Sequence, residues 1–309
     1  MADGYTEIPH NFNDVDPYVI TENDRIVQEI IACEKCFIYD TCSFRKHVQL
    51  KHPEYLFAFI NNYHSVVVIT RCILMELASH SGILNQEYIQ YIHKMQQAQI
   101  KVLILYEEDL FDVLSICFTT ISSINHLLAL AIINVKTATG AIQSLLKEDK
   151  ALRTEIFKEK NSDNSLYRRF FKTVRQKKEA EDHLGEELIA LCVHLLANIP
   201  EAPGYKYLVL TEDKGAIRLL KKAAKNVLEY LGVRAFSALT TAKLASRLYE
   251  EHIISQKNQV EEMLATGVTD GVIGILGCEE YDLEPKEKVM SCGELAEKIV
   301  AGNGIYVNY

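Results

Sequence analysis

An α/β fold with a central parallel β-sheet flanked by helices follows from three features of the 309-residue sequence. Short apolar runs recur along the chain, and several end in acidic residues. Helical patterns separate those runs, which argues for strand–helix–strand units covered on both faces. One run, SVVVITRC (65–72), places three valines and an isoleucine in succession, as expected of a strand buried on both sides.

The elements are expected in the following order. Residues 1–20 are polar, contain two prolines and read as irregular. Thr21 and Asp24 have the spacing of a capping box for a helix running to about Cys33. CFIYDTCSF (36–44) supplies a first strand, Phe37 to Tyr39, closed by Asp40. SVVVITRC is the second strand, with a helix in RCILMELASH. IKVLILYEE (100–108) is the third, YKYLVLTED (205–213) the fourth and VRAFSAL (233–239) a weaker fifth. Between the third and fourth lies an insertion, about 110–180, that is helical by periodicity and broken at KNSDNS (160–165). Beyond about residue 250 the composition changes. TGVTDGVIGILG (266–277) is Gly-rich and β-branched, SCGELAEKIVAG is a short capped helix and GIYVNY a final strand. The chain therefore divides into an N-terminal segment and helix (1–34), an α/β domain with its helical insertion (35–250) and a small C-terminal α/β extension (251–309).

Composition narrows the function classes. Formal net charge is −9 and the pI is near 5.6. A duplex-binding protein would usually be basic, so a nucleic-acid role must rest on a local patch. The start, MADGYTEIPH, has no basic or apolar leader region, which makes the cytoplasm the expected compartment and free thiols the expected state of the eight cysteines. LLALAIINV (127–135) is too short for a bilayer and reads as a buried helix, so no membrane is expected.

In open parallel sheets, ligand sites lie beyond the carboxyl ends of the strands. Asp40 closes the first strand, Asp213 closes the fourth, and Glu76 lies less than two helical turns beyond the second. Asp182 and Glu186, four apart, share a helix face just before the fourth strand. Two carboxylates 4 Å apart repel by about 4 kcal/mol at an effective dielectric near 20. Such a cluster persists if a cation neutralises it or some acids stay protonated. Oxygen ligands without His or Cys suit Mg²⁺ or Mn²⁺, and acid clusters holding such ions fit phosphodiester hydrolysis.

These residues resemble the PIN-domain nucleases. Four places carry the likeness: Asp40-Thr41 after an apolar strand in FIYDTCSF; Thr70 and Glu76 in VVVITRCILMEL; Glu186 in LGEELIALC; and Thr211 with Asp213 in YLVLTED. LGVRAFSALTTAKL is similar to the family's last strand and helix. The likeness spans about residues 35–107 and 180–250. It implies a PIN-like sheet, a divalent-metal site and endonucleolytic cleavage of single-stranded RNA by activated water. Asp40 and Asp213 would hold Mg²⁺ or Mn²⁺, and Glu76 and Glu186 would complete the shell or orient water. Thr41, Thr211 and Asp182 would support them, and Glu212 would point to solvent. Asp182 and Glu187 remain alternatives to Glu186 as third acid. Cys42 stands where the family often has Ser or Asn, and a thiol is a poorer hydrogen-bond partner. The alternative function is a PIN-like scaffold without catalysis that binds RNA or protein; a homo-oligomer or an inhibitory protein partner fits either reading.

Other signals weigh less. Cys33, Cys36, His47 and His52 give C-x2-C-x10-H-x4-H, read as a coincidental spacing rather than a zinc site. RRFFKTVRQKK (168–178) carries Arg168, Arg169, Lys172 and Arg175 beside Phe170 and Phe171. This is either a single-stranded RNA surface with stacking aromatics or an amphipathic helix with both rings in the core. Gly271, Gly274 and Gly277 read as strand or turn glycines, since no Gly-Lys-Ser/Thr follows. Glu107, Glu108 and Asp109 read as acids that start a helix.

Overall fold

The computed structural model describes residues 5–179, 182–200, 204–279, 282, 284–302 and 305–308. The five apolar runs become β1 (Lys35–Tyr39), β2 (Ser65–Thr70), β3 (Lys101–Leu105), β4 (Tyr207–Leu210) and β5 (Phe236–Leu239). They form one sheet in the order β3-β2-β1-β4-β5, parallel throughout. Val66 to Ile69 of β2 are buried on both faces, as their unbroken apolar run requires. The chain builds outward from β1 to β3 on one side and then returns to build β4 and β5 on the other. The strand order therefore reverses between β1 and β4, and side chains at the carboxyl ends of these two strands come together at the place where parallel sheets hold ligands.

The helices before β4 are α1 (Asn23–Ala32), α2 (Thr41–Val48), α3 (Pro53–Asn61), α4 (Arg71–Ala78) and α5 (Gln86–Gln97). The insertion follows as α6 (Leu110–Ser115), α7 (Ile121–Val135), α8 (Ala141–Glu148), α9 (Lys150–Ile156) and α10 (Leu166–Gln176), and α11 (Leu184–Leu196) leads to β4. Then come α12 (Lys214–Leu231), α13 (Thr241–Glu250) and α14 (Lys257–Ala265). The C-terminal region adds β6 (Val272–Cys278), β7 (Lys286–Ser291), α15 (Cys292–Val300) and β8 (Tyr306–Val307), the strands forming an antiparallel sheet ordered β7-β6-β8. β7 has no counterpart in the sequence reading; its burial alternates weakly and most of it is exposed. Gly274 and Gly277 lie within β6. Ile273, Ile275 and Val307 join the same core as the main sheet. Among the described residues no helix is long and apolar enough to cross a membrane.

Two expectations near the N-terminus change. Thr21 does not cap α1: Glu22 is the N-cap residue and makes no side-chain cap bond. The helix begins one residue too late for Thr21 to reach it, and Asp24 contributes only a favourable charge in the first turn. Residues 5–20 are also not wholly irregular. Two short 3₁₀ turns lead to Ile20, which bridges Leu103 of β3 in parallel: Ile20 N donates to Val102 O at 2.8 Å and Ile104 N to Ile20 O at 3.0 Å. The outer edge of β3 is thereby covered.

The insertion is fastened to the sheet by a buried ion cluster. Arg175, from α10, donates to Glu107 at 2.6 Å and to both oxygens of Glu108 at 2.7 and 2.9 Å. Glu7 lies 3.5 Å from its Nε. The second carboxylate oxygen of Glu107 accepts from Cys72 N at 2.8 Å, at the start of α4. Glu107 and Arg175 are buried, so neither charge has water to fall back on. Removing one partner strands the other. Arg175→Ala is expected to destabilise the fold by about 3–5 kcal/mol, measured by urea unfolding; a loss below 1 kcal/mol would show that the cluster does not hold the insertion in place.

Candidate functional site

Asp40 ends the apolar run of β1 and caps α2, where its Oδ1 accepts from Thr41 N at 2.7 Å. Its Oδ2 accepts from the Thr211 hydroxyl at 2.6 Å and from the Cys42 thiol at 2.9 Å. Cys42 thus supports the first acid despite being a thiol. Burial pushes the Asp40 carboxyl up, and the charge of Glu76 adds to that; the Cys42 and Thr211 bonds oppose it. Cys42 itself is pushed up to about 12 by burial and by Asp40, so it stays a donor.

Thr211 stands at the end of β4, fully buried, and serves two acids. It donates to Asp40 and accepts from Asp213 N at 3.1 Å. Asp213 caps α12 through Ala216 N at 2.7 Å. Thr41 performs the matching task on the other side, its hydroxyl donating to Glu76 Oε2. Asp213, Thr211, Asp40, Thr41 and Glu76 therefore form one continuous chain of contacts across the β4–β1–β2 edge.

The helix start at α11 completes the group. Gly185 lies against Glu76 so closely that a Cβ on it would come within 2.5 Å of Oε1. A larger residue there would require the Glu76 carboxylate to move from its place. Glu186 follows, paired with His183 Nδ1 at 2.8 Å. Its carboxyl is pushed up to about 7, by burial first and then by the negative charges of Asp213 and Asp40; His183 opposes them. The three candidates for the third acid take different places, and helix geometry separates the two neighbours. Glu187, 100° further round, is buried facing away and accepts from the Thr137 hydroxyl at 3.0 Å and Ile142 N at 3.0 Å. It holds the α7–α8 connection. Asp182 accepts from Leu184 N at 3.1 Å just before α11 and pairs with Lys178.

Lys178 is the residue that the sequence reading missed as a site component. Its ammonium lies 3.0 Å from Glu76 Oε1 and also bonds Asp182, with its side chain only 4% exposed. Burial works against its charge, but the two carboxylates outweigh that and raise its proton affinity. The signal was present as a Lys178–Asp182 spacing of four. Glu212 also departs from expectation. It is not turned to solvent: Oε1 accepts from the Thr241 hydroxyl at 2.6 Å and Oε2 from Lys46 at 3.1 Å, tying β4 to α13 and α2.

The proposed RNA face of α10 is reduced. Phe170 and Phe171 are fully buried, so they offer no stacking platform. Arg175 points inward to its acids, and Arg169 is engaged by Glu155 at 2.6 Å and by Asp163. Arg168 and Lys172 are exposed, as is Arg169 beside its two acids. The apolar stripe of an amphipathic helix explains the change, since Leu166, Phe170 and Val174 recur every four residues and turn inward together. The zinc-like spacing does not converge either: His47 is buried on Tyr39 and Thr241, whereas the half-exposed His52 pairs with Glu54 at 2.8 Å. Among the described residues no group of three or more His, Cys, Asp or Glu side chains is placed to hold a metal ion.

Comparison with protein-family models, with curated proteins and with solved structures gives no match.

The raised proton affinity of Glu186 has a stability consequence. The unfolded chain loses this proton near 4.5 and the folded chain near 7, so the folded state is favoured below pH 4.5 and penalised as pH rises through 7. Glu186→Gln removes the penalty. It is expected to stabilise the protein by about 1–2 kcal/mol at pH 8, discounted for partial exposure, and by nearly nothing at pH 4.5. Thermal melting across that range checks this.

Proposed function

We propose that the crevice between β1 and β4 is the site of a PIN-like, divalent-metal-dependent endoribonuclease acting on single-stranded RNA. The observation that carries this reading is the contact chain from Asp213 through Thr211, Asp40 and Thr41 to Glu76, with Glu186 of α11 within electrostatic reach of Asp213 and Asp40. Acids from four separate segments lie along the sheet edge where parallel sheets place ligands, although among the described residues no three of them gather around one point. The donor set is all oxygen and suits Mg²⁺ or Mn²⁺.

Mg²⁺ is commonly held by one or two carboxylates together with substrate phosphates rather than by an all-protein cage. A site without three gathered acids is compatible with that mode. Asp40 and Asp213 are the acids proposed to hold the ion. When bound, the ion would neutralise phosphate charge and make water easier to deprotonate. The chain's own residues account for the rest. Thr211 and Cys42 fix the Asp40 carboxylate, and Thr41 with Lys178 fixes Glu76. Glu186, with its proton affinity near 7, takes the proton from water as the water oxygen bonds to phosphorus and the bond to the ribose oxygen breaks, the departing oxygen taking a proton from solvent. Arg168 and Lys172 are exposed cations of α10 open to phosphates, whereas the exposed Arg169 is held by Glu155 and Asp163.

One observation favours the second reading, a non-catalytic PIN-like scaffold. Lys178 already neutralises Glu76 and Asp182 with a charge of the protein's own. The two readings separate in one assay. Purified protein with single-stranded RNA and Mn²⁺ is expected to cleave, and Asp40→Asn and Asp213→Asn to lower the rate at least about 100-fold. Cleavage that survives both substitutions or excess chelator overturns the metal mechanism, and RNA binding without cutting assigns the scaffold. Lys172→Glu is expected to weaken RNA binding and to flatten its dependence on salt.

A further inference from the structure

The two edges of the main sheet are treated differently. Ile20 bridges the β3 edge, whereas β5 ends the strand order on the other side with no partner among the described residues. The β4 ladder fixes which groups β5 leaves unpaired. Tyr207 N bonds Ala235 O and Thr211 N bonds Leu239 O, so odd-numbered residues face β4 and the N–H and C=O of Phe236 and Ala238 face outward. The Ser237 hydroxyl, at 3.2 Å, donates to Ala238 O. The strand, Phe-Ser-Ala-Leu, carries no charge or proline of the kind that usually guards an edge.

This edge is the floor of a cavity of about 690 Å³. Leu220, Ala224 and Leu228 of α12 form one wall, and Lys243 and Arg247 of α13 the other. Leu228, Tyr205 and Tyr306 are exposed by 38%, 40% and 58%, an apolar concentration at the mouth. The rim is basic: Lys35, Lys221, Lys225, Arg234, Lys243 and Arg247 line it against Glu250. Arg247 is paired with Glu251 at 2.6 Å and Lys225 with Glu229 at 3.7 Å. Three others have neutral partners: Lys35 donates to the carbonyls of Gly204 and Tyr205, Arg234 to the Tyr205 hydroxyl, and Lys243 lies 4.1 Å from the Tyr306 ring centroid.

We propose that this cleft receives an extended acidic peptide of a partner protein, which adds to β5 as a sixth strand, seats alternate apolar side chains against α12 and sets its carboxylates on Lys35, Arg234 and Lys243. Open strand edges bind extended peptides through main-chain bonds, with side-chain pockets giving specificity. A nucleic acid lacks the alternating donors and acceptors that Phe236 and Ala238 would meet. A second copy of the chain would bring one basic rim against another. The inference does not depend on the carboxylate crevice having any activity, and its readout is binding alone.

The probe is a fluorescent hexapeptide, Glu-Val-Glu-Val-Glu-Val, followed by anisotropy at 150 mM salt on the full chain. It is expected to bind, the matching Lys-Val peptide to bind at least about tenfold more weakly, and N-methylation of alternate amides to weaken it by a similar factor. The double change Arg234→Glu and Lys243→Glu is expected to cost at least about tenfold. Hydrogen exchange at Phe236 and Ala238 is expected to slow on binding. No binding of the acidic peptide, indifference to N-methylation, tighter binding of a uridine 12-mer, or a dimer by light scattering that the double change dissolves would each overturn the proposal. The methylated peptide keeps the test independent of whether the variant folds.

Discussion

A carboxylate taken out of water must be given donors, and at the seam between β1 and β4 the hydroxyl of Thr211 provides one. It donates to Asp40 and accepts from Asp213 N, so one small side chain registers two strand ends and two helix starts against each other. Its position follows from topology. Only at the reversal of strand order can a residue at the end of one parallel strand reach the end of its neighbour without a helix covering the gap. Thr41 repeats the device one strand over toward Glu76. The acids are thus spaced by hydroxyl groups, which lets several negative charges share an edge that bare repulsion would open.

Two buried cations complete the balance, and both come from the insertion. Arg175 and Lys178 lie three residues apart at the end of α10 and just beyond it. Arg175 turns to Glu107 and Glu108 beneath the end of β3, and Lys178 to Glu76 and Asp182. One stretch of chain therefore answers the acids of two strand ends. Buried pairs of this kind add little net stability but penalise alternatives that leave a charge unpaired. The effect is to fix where the insertion sits.

Much of the scaffold was legible in the sequence because buried parallel strands announce themselves as unbroken apolar runs, and all five runs became strands. The acids at strand ends were legible for the same reason, since Asp40 and Asp213 terminate such runs. What sequence could not give was direction around a helix. Glu186 and Glu187 are adjacent letters, yet a 100° turn sends one toward Asp213 and the other to the α7–α8 connection. The cluster RRFFKTVRQKK looked like a basic surface because composition does not show that Phe170, Phe171 and Arg175 turn inward. β7 escaped because a strand at the rim of a small antiparallel sheet has no apolar run to reveal it. Glu212 was misread because alternation places a side chain on a face but says nothing of whether Thr241 and Lys46 wait there.

The clasp at Arg175 also bears on how this chain can be cut or shortened. The stretch between β3 and β4 looks like a detachable module, being long, helical and flanked by regular strands. Its helix α10, however, holds the sole buried guanidinium among the described residues, and that group neutralises carboxylates in the turn that directly follows β3. Excision would leave Glu107 enclosed with no counter-charge, so a minimal version of the domain would need that carboxylate replaced by an uncharged side chain at the same time.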